Sequence, residues 1–162
     1  MTNRDIDLLK IFDIHISYYQ LSRRIIENLC LTCDNVRFIC DKQKWLKLKM
    51  FSKNIITVEN LVMQWYKGYL DIVSCEDLYK LPENCAGLFE DCNAKFLDLS
   101  YFDTSDVKDM SFMFAGSKIE ELNISSFNTE KVEIMDYMFF QCNIPKLILD
   151  SFSTSSVRSM VS

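Results

Sequence analysis

The sequence predicts an α+β fold: a short solenoid whose 25-residue units each give a strand and a short helix, preceded by an α-helical N-terminal segment. Three observations carry this. The second half of the chain matches itself when shifted by 25 residues. Within each unit the apolar spacing changes from two to three or four. The first half shows helical stripes, with little Gly and no Pro before Pro82.

The repeat is legible position by position. Leu97, Leu122 and Leu147 align, as do Leu99, Ile124 and Leu149, then Phe102, Phe127 and Phe152. Thr104, Thr129 and Thr154 follow, then Val107, Val132 and Val157, then Met110, Met135 and Met160. Met113-Phe114 falls on Met138-Phe139, and Leu88-Phe89 on both. The units are a half unit at 81–96, full units at 97–121 and 122–146, and a partial unit at 147–162. The expected organisation is a helical segment at 1–68 and repeats within 69–162.

In "LDLS" the leucines alternate with polar residues and share one face of a strand. Val107, Met110 and Phe114 then fall at i, i+3 and i+7, the stripe of a short helix, with Thr104 or Ser105 placed to cap it. One such unit cannot enclose a core, but stacked copies can, and about 20–29 residues is the leucine-rich-repeat length.

The pattern L-x-L-S-x-F-x-T-x-x-V-x-x-M-x-x-M-F over residues 81–162 resembles the BspA-like leucine-rich repeat. That resemblance implies a right-handed solenoid used for protein–protein contact or adhesion, without catalysis. It also implies a surface protein, although this chain has few repeats and starts without an apolar signal core. The last unit stops short of its Met-Phe pair, so the expectation is an uncapped edge that invites association.

The N-terminal half carries two apolar stripes: Ile6, Leu9, Phe12 or Asp13, and Ile16, then Leu21, Ile25, Ile26, Leu29 and Cys33. Leu29, Cys33, Val36, Ile39, Cys40 and Trp45 follow the spacing of the second half of an F-box, which residues 4–54 resemble. The Leu-Pro that opens an F-box is absent. The resemblance implies a substrate adaptor docking on a Skp-type ubiquitin-ligase subunit, in a truncated layout that suits large DNA viruses. The alternative is a helical cap on the first repeat. "YLDIVS" in the transitional stretch 55–80 reads as a degenerate first strand in the position of "FLDLS".

Composition bounds the function. The net charge of −5 is the sum of opposite halves: residues 1–68 carry eleven Lys and Arg against seven Asp and Glu, and residues 69–162 seven against sixteen. The acidic half repels nucleic-acid phosphates. No apolar run reaches the ~18 residues of a membrane helix, which makes a cytoplasmic location the expectation. No phosphate-binding loop, dinucleotide fingerprint or nucleophile elbow is present, and no catalytic residue or cofactor is expected.

The chemistry-bearing residues have plain alternatives. Cys30 and Cys33 form a C-x-x-C near Cys40 and His15, the raw material of a zinc site, yet a second close pair is missing. Cys85, Cys92 and Cys142 occupy packing positions. Arg37, Lys42, Lys44, Lys47, Lys49 and Lys53, with Trp45 and Phe51, make a basic stretch for nucleic acid or acidic lipid, or a solvated helix face. Asn123-Ile124-Ser125 matches a glycosylation acceptor within a predicted strand. For a protein partner, the candidates are the residues between the strand leucines: Asp98, Ser100, Asn123, Ser125, Ile148 and Asp150.

Overall fold

The structure, a computed structural model, describes residues 33–52, 55–58 and 61–162. The stripes read over residues 6–29 lie outside them. The first element is a strand, β1 (Asn35–Cys40), with Val36 and Phe38 buried and Arg37 and Ile39 less so. Asp41 then caps helix α1 (Lys42–Phe51), its carboxylate accepting from the Lys44 N–H at 2.9 Å. Strands β2 (Ile56–Val58), β3 (Leu61–Tyr66) and β4 (Tyr69–Ser74) form an antiparallel meander. Its β3–β4 hairpin turns at Lys67 and Gly68, with φ of 50° and 86°, as a two-residue turn between twisted strands requires. Four short strands follow: β5 (Tyr79–Lys80), β6 (Phe96–Asp98), β7 (Phe102–Asp103) and β8 (Glu121–Asn123).

Six strands make one sheet, in the order β2-β3-β4-β1-β6-β8, and β5 pairs with β7. From β4 to β8 the pairing is parallel, and Leu97 lies opposite Leu122. "YLDIVS" does form a strand, but β1 separates it from "FLD", so it is not the neighbouring rung the repeat alignment suggested. Strands from both sides of Gly68 share the sheet.

Among the described residues, strand-plus-helix units are not what forms, and the expected N-terminal helical segment gives way at residues 35–40 to a strand. The described residues are mostly sheet and turn with one helix, α1, which lies outside the repeats. The reason is visible in the backbone of residues 111–116. Phe112 and Gly116 have φ of 55° and 67°, and a right-handed helix cannot pass through two left-handed residues. Tight turns close instead, Met113 N–H to Met110 O at 3.2 Å and Ala115 N–H to Phe112 O at 3.0 Å. The intervening N–H groups point sideways to the next rung: Phe112 to Asp136 O, Phe114 to Met138 O and Gly116 to Phe140 O, all at 2.8–2.9 Å. Single parallel bridges, Asn84 to Asp109 to Ile134 to Ser159, mark the same ladder. The apolar stripe is buried as expected, since Val107, Met110 and Phe114 are inaccessible. A helix and a ladder of turns bury the same side chains, so spacing alone did not separate them.

The main core lies between one face of the sheet and this turn ladder, joining Val36, Phe38, Leu70 and Ile72 to Leu97, Met113 and Phe114. Phe89, Phe114 and Phe139 stack at 5.4 and 5.5 Å with rings nearly parallel. A second, smaller cluster of Leu48, Val62 and Val73, with Trp45 against it, seats α1 on the other face. There the buried Asp71 accepts from Arg37 at 2.7 Å and Lys44 at 2.9 Å. Two cations hold a carboxylate that would otherwise be costly to bury.

Threonines tie the rungs. The buried Thr104 hydroxyl accepts from the Asn128 N–H at 2.8 Å and donates to the Asn128 carbonyl at 2.9 Å. Thr129 does the same to Ser153, at 2.7 and 2.9 Å. The helix-capping role expected for Thr104 is thus replaced by a clamp on the next rung's backbone. Thr129→Val removes both bonds while keeping shape, and is expected to cost about 2 kcal/mol, the penalty of stranding buried polar groups. Thr154→Val, at an exposed position, is expected to change stability by under about 0.5 kcal/mol. Denaturant unfolding of the two variants checks this; equal losses would refute the clamp.

Ion pairs repeat with the rungs. Asp106 sits between Lys80 at 2.7 Å and Lys131 at 2.8 Å, Lys108 meets Glu83 at 2.9 Å, and Arg158 meets Glu133 at 3.4 Å. The hydrogen bonds from Lys131 and Lys80 hold the Asp106 carboxyl down at about 2. Ser105's backbone N–H lowers Asp103, and the Ser159 hydroxyl lowers Asp136. Folded values below the unfolded ones mean stability that is present above about pH 4 and lost as pH falls through the folded values. Melting temperature should therefore drop between about pH 4 and 2, and Asp106→Asn should flatten that drop. An unchanged acid slope in the variant would assign the loss elsewhere.

Candidate functional site

The structure brings four of the six expected partner-binding residues together. Asp98 in β6 and Asn123 at the end of β8 are stacked one rung apart, the Asn123 amide donating to Asp98 Oδ1 at 3.0 Å. The same Asp98 oxygen accepts from the Ser100 N–H, and Asn123 accepts from the Ser125 N–H, so each pair closes a turn. This polar ladder is internally bonded. Ile148 and Asp150 are exposed on the next unit, where no strand forms and β8 is the sheet edge.

The larger feature is apolar and lies at the edge that the incomplete last unit led us to expect. On the far face of the ladder, Met138, Phe139, Phe140, Leu149, Phe152 and Met160 line a groove of about 640 Å³. Its residues are core residues by position. Leu99 and Ile124 are 0% and 2% exposed, whereas Leu149 in the same register is 40% exposed; Met110 and Met135 are 0% and 5%, and Met160 is 62%. Each position is buried where a following rung covers it. The rim also holds backbone donors: among the described residues, the N–H groups of Phe139 and Gln141 donate to no backbone carbonyl.

The F-box-like residues do not form the expected helix. Val36, Ile39 and Cys40 belong to β1, and Cys33 is buried just before it; only Trp45 is helical, and Leu29 lies outside the described residues. Alternation with period two across "NVRFIC", rich in β-branched and aromatic residues, outweighed the i, i+3, i+7 reading. The docking on a Skp-type subunit implied by that resemblance loses its helix here.

Much of the basic stretch is engaged internally. Arg37 and Lys44 pair with Asp71, Arg37 also lies 4.4 Å from the Tyr69 ring centre, and Lys49 lies 4.3 Å from that of Trp45. Lys42 and Lys47 are exposed on α1, and Lys53 is outside the described residues. Cys30 and His15 are outside them too, and among the described residues no group of three or more His, Cys, Asp and Glu is placed to hold a metal. Burial, reinforced by Asp77 and Glu76, pushes the Cys40 thiol up to about 12, which keeps it protonated. Cys85 and Cys92 are buried in the core, and Cys142 donates to the Phe114 carbonyl across the rung.

Among the described residues no helix is long and apolar enough to cross a membrane. No curated protein and no solved structure matches the chain. Residues 83–162, just under half of it, match the family model described as "Mycoplasma protein of unknown function, DUF285", which is associated with BspA-like repeat proteins. The repeat half is thus similar to that family over the whole of the turn ladder.

Proposed function

We propose that the protein is a non-catalytic interaction module of the BspA-like repeat kind, holding a protein partner on its repeat half. The observation that carries this is the match of residues 83–162 to a family associated with BspA-like repeat proteins, over rungs that stack into one ladder. Apolar surface such as that exposed at Phe140 and Leu149 is characteristic of contact sites. The polar ladder contributes less, because Asp98 and Asn123 already satisfy each other and the turns beneath them. Asp150 and Ile148, exposed on the last unit, are placed to form a polar and apolar margin to the contact.

Photo-crosslinking from position 140 in a cell extract is expected to yield a discrete protein adduct. Leu149→Lys should reduce it at least tenfold, with the circular dichroism of the fold unchanged. Asp98→Lys and Asp150→Lys should leave most of it in place. Loss of the adduct in the two Asp variants but not in Leu149→Lys would move the contact to the polar ladder. An adduct insensitive to all three would overturn the reading.

A further inference from the structure

We infer that the outer face of α1 is a docking surface for an anionic lipid bilayer, with Met50 and Phe51 entering the headgroup layer and Lys42 and Lys47 meeting lipid phosphates. This surface lies outside the repeats and is independent of the contact proposed for them. The helix is apolar on two sides. Trp45 and Leu48, three residues apart, belong to its inner side, where Leu48 packs with Val62 and Val73. Leu46, Met50 and Phe51 are 43%, 70% and 77% exposed, the last two being the most exposed large apolar side chains among the described residues. An isolated surface helix keeps its outer side polar, so apolar residues there mark a second surface to be covered.

Charge decides what covers it. The stretch from Lys42 to Phe51 holds lysines and no acid. Lys44 is bonded to Asp71 at 2.9 Å, and Lys49 lies 4.3 Å from the centre of the Trp45 ring. Lys42 and Lys47 are exposed, one turn from Leu46 and Met50 respectively. The carboxylates of this region, Asp41, Glu76 and Asp77, lie by the helix N-terminus, where β1 and β4 end. Met50 and Phe51 are at the opposite end, about 13 Å along the axis.

Lysine beside a large apolar side chain is what a headgroup layer accommodates. The ammonium reaches phosphate while its stem and its neighbour enter the acyl boundary. Nucleic acid would satisfy the lysines and leave Leu46, Met50 and Phe51 in water. The sheet separates α1 from the acidic turn ladder, since the main core lies on one face and the Leu48 cluster on the other. That separation is on the order of the ~8 Å Debye length at physiological salt, so the ladder's acids are largely screened from the docking surface. Two free lysines and a short apolar stripe give reversible attachment that needs both signals together.

Sedimentation of the full chain with lipid vesicles tests this. Vesicles of equal parts phosphatidylcholine and phosphatidylglycerol are expected to bind it about tenfold tighter than phosphatidylcholine alone, and high salt should weaken that binding. Met50→Ser with Phe51→Ser should weaken it about tenfold, and so should Lys42→Glu with Lys47→Glu. All four side chains are exposed, so circular dichroism should stay unchanged. Lys42→Arg with Lys47→Arg should retain binding, and Lys118→Glu on the ladder should not alter it. A photo-crosslinker at position 46 should label lipid. Absence of binding, equal binding to both vesicle types, or binding insensitive to both α1 pairs would overturn the inference. Binding of a DNA duplex that the Lys→Glu pair abolishes and the Ser pair spares, without vesicle binding, would replace the bilayer with nucleic acid. A crosslink from position 46 to residues 1–32 in place of lipid would assign the cover to the chain's own N-terminal segment.

Discussion

The hydrogen bond from an N–H in one rung to the carbonyl 24 residues later, as from Phe114 to Met138, is the constraint on which the repeat half depends. A single rung is too short to bury its own apolar residues, so every side chain in it is sheltered by the rungs before and after. To aim alternate N–H groups along the ladder, the chain must enter left-handed conformations twice per rung. Gly87, Phe112 and Tyr137 share the first such position, and Asp91, Gly116 and Gln141 the second. Non-glycine residues there cost about 1–2 kcal/mol each. Stacking between Phe112 and Tyr137 at 5.1 Å helps offset that cost, and only the assembled ladder supplies it. The strain and its compensation are therefore cooperative, as are the threonine clamps and the ion pairs that span rungs.

This explains which parts of the fold could be read in advance. Identity at intervals of 25 correctly aligned Leu97 with Leu122, which are paired strand residues, and placed Val107, Met110 and Phe114 in the core. It did not reveal the backbone, because burial of a stripe is compatible with a helix and with stacked turns. The discriminating information lay in Gly87 and Gly116, glycines at the two left-handed positions, whose aligned partners are Phe112 and Tyr137 at the first and Asp91 and Gln141 at the second. A Cβ at Gly116 would also meet the Asp91 carboxylate of the rung before, which would have to swing aside. In "NVRFIC" two periodicities coexisted. The strand one prevailed because β1 fills the place between β4 and β6 in a parallel sheet, a long-range pairing that no local pattern announces.

The candidate site was half legible for the same reason. Asp98, Ser100, Asn123 and Ser125 were selected as polar residues between strand leucines, and that placement suits both contact with a partner and the closure of turns. The hydrogen bonds show the second use. Polar side chains whose acceptors are already engaged must give up those bonds to take a ligand, which subtracts from any affinity they add.

The groove has the opposite balance. Its apolar residues lose unfavourable hydration when covered, and its N–H donors exchange water for a new partner without breaking bonds inside the chain. Because its lining is drawn from positions that are core in every earlier rung, the shape needed to cover it already exists in the chain: the surface of a rung. The alternating charges of the 83, 108, 133 and 158 column favour one register of the rungs over its neighbours within the fold. In this protein the bonds that join one rung to the next are also what make the repeat half stable.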